Sequence, residues 1–486
     1  MANDLIAFES AARLAARLRR GSLTAVALLE LYLERVRRHN PSLNAIVVTD
    51  EAVARKRARA ADRALAKGQR WGSLHGVPMT IKESFNVVGM PTTWGLPSLK
   101  DNLPKRNAVA VDRLLQAGAV LFGKTNVPTM LADWQTFNDI YGTTNNPWDL
   151  TKVPGGSSGG AAAALAAGLT ALELGSDIGA SIRDPAHFCG VYGHKPTFGI
   201  CPMLGQALPG VVAAQDLNVI GPLARSADDL ELALKVIAGP DEIEARGWQL
   251  TLPASRRKTL REFKVAVMVS AETAEVDRSV QDRIQAIADF LGKKKAKVSE
   301  TARPDIDTTE AHHVFIQLLR SATSNAQTDE TFARNRVAAE SLSADDQSYR
   351  AWMLKGNTMS HRDWLRWNEL RERMRRRWHA FFQEYDVMLS PAGATAAFPH
   401  NQKGERWERM VSVNGKPQPS TTQMFWAGFS GMAYLPSTVA PAGFTPEGLP
   451  VGVQIIGPQY GDLTCIHFAR LLEREYQGFV APPGYE

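Results

Sequence analysis

The chain has 486 residues but only three cysteines, Cys189, Cys201 and Cys465, and no pair has C-x-x-C spacing. So sparse and odd a count excludes a disulfide framework and points to a reducing, cytoplasmic compartment. The ten histidines do not combine with cysteines or acids into a ligand pattern, and the adjacent His312 and His313 would not share a helix face. Neither a metal centre nor any other cofactor is expected. No apolar run is long enough to cross a bilayer; the nearest, Ala161 to Leu172, is too short and too rich in Gly and Ala. The first twenty residues lack the apolar core and small-residue cleavage site of a secretory signal, so no signal and no membrane partner are expected. Charge of one sign is not concentrated either. The net charge is +6, and basic residues alternate with acids along helical patterns. The densest run, Arg371 to Arg377 beside Trp378, reads as a solvated helix face, and nucleic acid is not an expected partner. Internal repeats and low-complexity tracts are also missing.

What is present is a large globular chain, 44% hydrophobic and 22% charged, long enough for one large α/β domain or two domains. Ala and Leu recur at helical spacing over residues 7–20, and Thr24 caps a second helix that Asn40-Pro41 should stop. Val77 to Ile81 reads as a buried strand with Lys82 at its end, and Val120 to Phe122 as another before Gly123-Lys124-Thr125-Asn126. Strands and helices then alternate, which argues for an α/β sheet. Residues 308–386 lean helical and carry Trp352, Trp364, Trp367 and Trp378. Trp426 to Val439 and Gly448 to Gly457 read as two central strands or strand-loop pairs.

The informative stretch is Pro154 to Thr197. Gly155-Gly156-Ser157-Ser158-Gly159-Gly160 precedes an Ala-rich helix, Ala161 to Leu172, and then a second small-residue turn around Gly175 to Ser181. Glycine on both sides permits close backbone approach. The two serine-bearing turns can therefore aim several N–H groups and hydroxyls into one small space. A flexible linker fits poorly with the apolar helix between the turns. A phosphate-binding Walker loop is excluded, because no Gly-Lys-Ser/Thr follows. Gly155 to Gly159 also fits the G-x-S-x-G nucleophile elbow, which would require a histidine and an acid later in the chain.

The ordered pattern GGSSGG, helix, G-S-D-x-G-x-S-I-R-x-P-A and G-x-K-P-T resembles the amidase signature family of serine hydrolases, and the resemblance covers essentially the whole chain. It implies one large domain over residues 1–486, an α/β fold with a mixed central sheet covered by helices on both faces, and a pocket shaped by a Trp-containing insertion at about 308–386. It implies Ser181 as nucleophile, Ser157 as the bridging serine preceded by a cis peptide bond, and Lys82 as base in a G-V-P-x-x-x-K-D/E pattern. The backbone N–H groups of Ile178, Gly179, Ala180 and Ser181 would form the oxyanion hole, with Ala180 where the family commonly has glycine. Ser158, Asp177 and Arg183 would support the turn. Lys124 would be structural or at the surface. Leu131, Asp133 and Trp134 would line the pocket, and the alternative for Leu131 and Trp134 is plain core packing. A mechanism using His187 or His194 with the serine is the runner-up, though neither has an acid partner visible in sequence.

The activity so implied is hydrolysis of a small carboxamide, N-acyl amine or anilide, with ester or carbamate cleavage as a side activity. The alternative is a glutaminase-like component of a tRNA-dependent amidotransferase complex. The tryptophan-rich region and Met424-Phe425-Trp426 favour an apolar substrate over glutamine. Sequence leaves oligomeric state open, a homodimer included.

Overall fold

The computed structural model describes residues 4–343 and 345–486. A first sheet of three strands joins β1 (Ile46–Thr49), β2 (Pro78–Lys82) and β3 (Val120–Thr125), with β3 in the middle. β2 runs parallel to β3, and every residue of both is buried. Two short ribbons pair β4 (Phe137–Asn138) with β5 (Gly142–Thr143) and β12 (Met410–Val413) with β13 (Lys416–Pro419).

The large sheet is built from β6 (Glu173–Asp177), β7 (Tyr192–Lys195), β8 (Val219–Ala224), β9 (Lys264–Val267), β10 (Lys297–Ser299), β11 (Val387–Pro391), β14 (Ser437–Phe444) and β15 (Pro450–Ile456). Its order is β10-β9-β11-β15-β14-β7-β8-β6. β9 is parallel to both of its neighbours, and the remaining pairs are antiparallel, so the sheet is mixed. The run Pro450–Ile456 is apolar apart from Gln454 and is buried throughout, the pattern of a strand covered on both faces. The fold is thus the helix-covered α/β class that the sequence predicts.

The helices are α1 (Ala11–Arg19), α2 (Ala25–Leu43), α3 (Glu51–Ala66), α4 (Val109–Gln116), α5 (Gly159–Ala166), α6 (Arg183–Cys189) and α7 (Ala227–Ile237), then α8 (Arg278–Lys293), α9 (Thr308–Thr323), α10 (Asp329–Glu340), α11 (Tyr349–Asn357), α12 (His361–Phe381), α13 (Met424–Gly431) and α14 (Asp462–Glu475). Thr24 caps α2 as expected, its hydroxyl accepting from Ala27 N at 3.1 Å. Three expectations are corrected. α2 does not stop at Asn40-Pro41 but continues to Leu43. Proline forfeits only one bond so near the end, and Asn40 Oδ1 accepts from Ala45 N and Ile46 N at 2.9 Å each to close the terminus. α5 is shorter than Ala161 to Leu172, because Gly168 turns to φ 66 and ends it. Met424–Gly431 is a buried helix rather than a strand; only Ser437 onward is extended.

The two sheets meet where β2 lies against β6. Glu173 of β6 accepts hydrogen bonds from Thr80 Oγ1 of β2 and, at 3.4 Å, from Thr125 Oγ1 of β3. Burial pushes its carboxyl up to about 8, so it clamps the strands largely uncharged at neutral pH. Behind this junction runs α5, with every residue buried. A Cβ on Gly160 would meet Asn126 N at 2.4 Å and Ala45 O at 2.8 Å. Both are backbone atoms and cannot swing aside. Gly160→Ala is therefore expected to destabilise the protein by about 1–3 kcal/mol, read as a lower urea midpoint. An unchanged midpoint would show that α5 is not held at van der Waals contact.

Candidate active site

Lys82 ends β2 with its side chain fully buried. Its Nζ donates to Ser157 Oγ at 2.7 Å, to Ser176 Oγ at 3.0 Å and to Ser176 O at 3.4 Å. These three partners are all neutral. Burial lowers its pKa from 10.5 to about 7, and the more distant charge of Asp177 opposes that shift. A good fraction of Lys82 is thus neutral at physiological pH.

Ser157 follows a cis peptide bond, Gly156–Ser157. Asp184 Oδ2 accepts from Gly156 N at 3.1 Å on one side of this turn, and Thr136 Oγ1 donates to Gly155 O at 2.8 Å on the other. Ser158 N donates to Ser181 O at 3.1 Å, which ties the first serine turn to the second. Ser157 and Ser181 open on the same cavity.

The second turn is shaped by Asp177. Its carboxylate accepts from Ala180 N at 3.0 Å and Ile182 N at 3.1 Å, and pairs with Arg183 through Nη2 at 2.9 Å and Nε at 3.0 Å. Both partners are buried. Burial alone would raise the Asp177 carboxyl, but Arg183 and then Lys195 hold it at about 2. Arg183 Nη1 continues to Ala427 O at 2.9 Å, Ser430 Oγ at 3.1 Å and Gln454 Oε1 at 2.7 Å, anchoring the turn to α13 and β15.

Within the expected oxyanion set, the four N–H groups are not equivalent. The Ala180 N–H is already committed to Asp177, and Ala180 sits at φ 84, a conformation glycine adopts at less cost. Among the described residues, the N–H groups of Ile178, Gly179 and Ser181 have no acceptor in the chain. Trp134 Nε1 donates to Gly179 O at 2.7 Å and fixes the turn from the cavity side.

The cavity itself has a volume of about 520 Å³. Leu131, Asp133 and Trp134 all line it, with Asp133 Oδ2 paired to Arg409 Nη1 at 2.6 Å. Residues 308–386 contribute Leu319, Arg320 and Asn357 to the wall, but none of the four tryptophans is there. Trp352 stacks on His313 at 4.2 Å and Trp378 packs edge-on to Phe429 at 4.9 Å, so these rings serve helix packing. Phe425 and Trp426 are buried in the core; of that triplet only Met424 reaches the cavity. Beside Leu131 and Trp134, the apolar wall includes Met203, Leu208, Ile178, Leu319 and Met424.

The histidines lie elsewhere. His187 is buried between Thr395 O at 2.9 Å and Gly452 N at 2.7 Å, and burial lowers its pKa to about 4. His194 does have an acid partner, Asp462 Oδ1 at 3.1 Å, supplied by α14 from 268 residues away. Neither lines the cavity. Lys124 is fully buried, not at the surface, and donates to Pro91 O at 2.6 Å and Thr92 Oγ1 at 2.8 Å, away from the cavity. Two groups escape sequence reasoning. Ser176 stands directly before Asp177 in the G-S-D motif, and that position was the available signal. Gln206, whose Nε2 donates to Ser176 Oγ at 3.1 Å and Ser84 Oγ at 3.2 Å, carries no local signal at all. Among the described residues no cluster of three His, Cys, Asp or Glu could hold a metal, and no helix is long and apolar enough to cross a membrane.

Residues 27–466 match the family model described as Amidase. The indoleacetamide hydrolase of Bradyrhizobium diazoefficiens is 33% identical over 474 residues, which span 96% of this chain and 86% of that protein. A glutamyl-tRNA(Gln) amidotransferase subunit from Synechococcus sp. (strain CC9605) is 32% identical over 486 residues, with 96% of each covered. A bacterial aryl acylamidase of the amidase signature family has the same fold, with a TM-score of 0.82 at 24% identity over 98% of this chain and 99% of that one.

Proposed function

Because the chain belongs to the amidase signature family and is an amide hydrolase, we propose that it cleaves small amides or anilides through an acyl-enzyme on Ser181, with Ser157 and Lys82 relaying the proton. The observation that carries this reading is the 2.7 Å hydrogen bond between Lys82 Nζ and Ser157 Oγ, at the wall of the cavity onto which Ser181 opens. A serine hydroxyl needs a base to attack a carbonyl. Neutral Lys82 takes the proton of Ser157 as Ser157 takes that of Ser181. The Ser181 oxygen adds to the amide carbon, and the oxyanion develops beside the free N–H groups of Ile178, Gly179 and Ser181. The relay then returns the proton to the departing amine, and water cleaves the ester by the same path. The Asp177–Arg183 pair and Ser158 hold the two turns in register. Leu131, Trp134 and Met424 offer apolar surface to the substrate, and a cavity of this size takes a small aryl or acyl group.

A second reading is favoured by the amidotransferase relative, similar over nearly the whole of both chains. In it the same serine chemistry would release ammonia within an assembly. Two experiments address these readings. A fluorophosphonate should label Ser181, with the adduct mapped there by mass spectrometry; an adduct on Ser157 would reverse the two roles. The purified chain alone should hydrolyse 4-nitroanilides without ATP, tRNA or partners. Activity that appears only with those additions would favour the amidotransferase reading.

A further inference from the structure

The cavity wall contains four charged side chains, Asp133, Asp216, Arg320 and Arg406. Both acids are already neutralised by arginines outside the wall. Asp133 pairs with Arg409 at 2.6 Å, and Asp216 pairs with Arg371 at 2.8 Å. The two arginines of the wall have no such partner among the described residues. Arg320 donates from Nη2 to the Tyr349 hydroxyl and lies over the Tyr349 ring, its guanidinium carbon 5.5 Å from the centroid. Its Nε is buried and makes no hydrogen bond. Arg406 donates from Nη1 to Ala132 O at 2.5 Å. Arg320 sits in the field of Arg406, and both act on Tyr349, whose hydroxyl burial would raise but whose pKa these charges pull below 10.

Two cations held close together without an anion are costly unless a ligand supplies one. An unpaired guanidinium edge is also the group best shaped for a carboxylate, which it grips with parallel N–H donors. Met424 sets the distance from the chemistry. Its Cε is 3.6 Å from where a side chain on Gly179 would begin, and its Sδ is 3.6 Å from Tyr349 Oη. Met424 and then Tyr349 thus lie between the oxyanion turn and Arg320.

Resting on the amide-hydrolase reading above, we propose that Arg320 and Arg406 form a carboxylate subsite, and that the preferred substrates are amides bearing a carboxylate a few bonds from the scissile carbonyl. Monoamides of short dicarboxylic acids have this form. An α-ammonium group finds no counterpart, because both acids of the wall are occupied, so a zwitterionic amino-acid amide such as glutamine is a poorer fit.

The test compares butyryl-, succinyl- and glutaryl-4-nitroanilide with the full chain. The ratio of kcat/KM for the better carboxylated anilide to that for the butyryl anilide should exceed one, and Arg320→Met should lower that ratio on the order of tenfold to a hundredfold. The loss should fall mainly on KM. Arg320→Lys, which keeps the charge but not the fork, should lie between. Arg320→Met relieves the repulsion between two neighbouring cations and Arg320→Lys preserves the charge already tolerated there, so neither variant is expected to unfold. Glutarate should slow fluorophosphonate labelling of the wild type and not of Arg320→Met. A wild-type preference for the butyryl anilide, or a ratio that Arg320→Met leaves in place, overturns the subsite while leaving amide hydrolysis intact. If no anilide is cleaved and Ser181 is not labelled, the proposed acyl-enzyme on Ser181 falls and the subsite with it.

Discussion

Lys82→Ala is expected to lower kcat/KM by about 10⁴-fold or more, the scale on which members of a hydrolytic triad fail. The reason is the protonation state of one amine. Lys82 acts as a base only when neutral, and burial brings its pKa from 10.5 to about 7. Activity should therefore rise with pH, with half of the limb reached near pH 7 in kcat/KM, which reports the free enzyme. Below that pH the ammonium can still donate to Ser157 and Ser176, so the site stays folded but loses its proton acceptor. Lys82→Arg should fail as fully as alanine, because guanidinium stays protonated across this range. Lys124 is the discriminating control, since burial brings it to about 7 as well. It faces Pro91 and Thr92 rather than the cavity, so Lys124→Met should cost stability and leave the pH limb in place. A limb that follows Lys124, or that survives Lys82→Ala, would sink the relay.

Arg183→Met should be the most damaging change outside the relay, with a loss of about 3–5 kcal/mol in stability. It strands the Asp177 carboxylate, which would keep only the backbone donors of Ala180, Ile182 and Arg183. It also leaves Gln454 Oε1 and Ala427 O without their shared donor. Asp177→Asn should cost less, because Arg183 retains three acceptors on α13 and β15. The acid limb follows from the pair. Asp177 is held at about 2, below its ordinary 3.8, so its contribution is present above pH ~4 and lost as pH falls toward 2. The shift corresponds to roughly 2 kcal/mol. Urea midpoints measured at pH ~6 and across this acid range, for wild type and Arg183→Met, check both points. A wild-type advantage below about 1 kcal/mol would mean the pair is only as valuable as one at the surface.

The parts of the site that are legible in sequence are those whose order along the chain matches their order in space. A strand end offers Lys82 and two glycine-flanked turns offer the serines, and the resemblance of their motifs to the family's is what singles them out. The Ala180 N–H turns back on a carboxylate three residues earlier, a contact that no motif in the sequence announces. The tryptophans of 308–386 suggest a pocket by composition, whereas side-chain direction on packed helices decides what a ring touches. Met424–Gly431 is a short apolar run without periodicity, which cannot be told from a buried strand before its neighbours are known. Gln206, Arg320 and the Asp462 partner of His194 are out of reach because no local motif marks them and each contact forms only in the folded chain.

Helix α5 has no exposed residue, and Ser157 lies just ahead of it, separated by Ser158 alone. A helix with no solvent-facing side cannot fray by itself; its amides reach water only when the sheet junction in front of it opens. Deuterium uptake in α5 should thus be among the slowest in the molecule and should report the global unfolding free energy. The cavity-facing 203–215 segment, with Val212 exposed, should exchange much faster. The segments that line the cavity can then fluctuate, or diverge between relatives, on a timescale the turn carrying Ser157 does not feel.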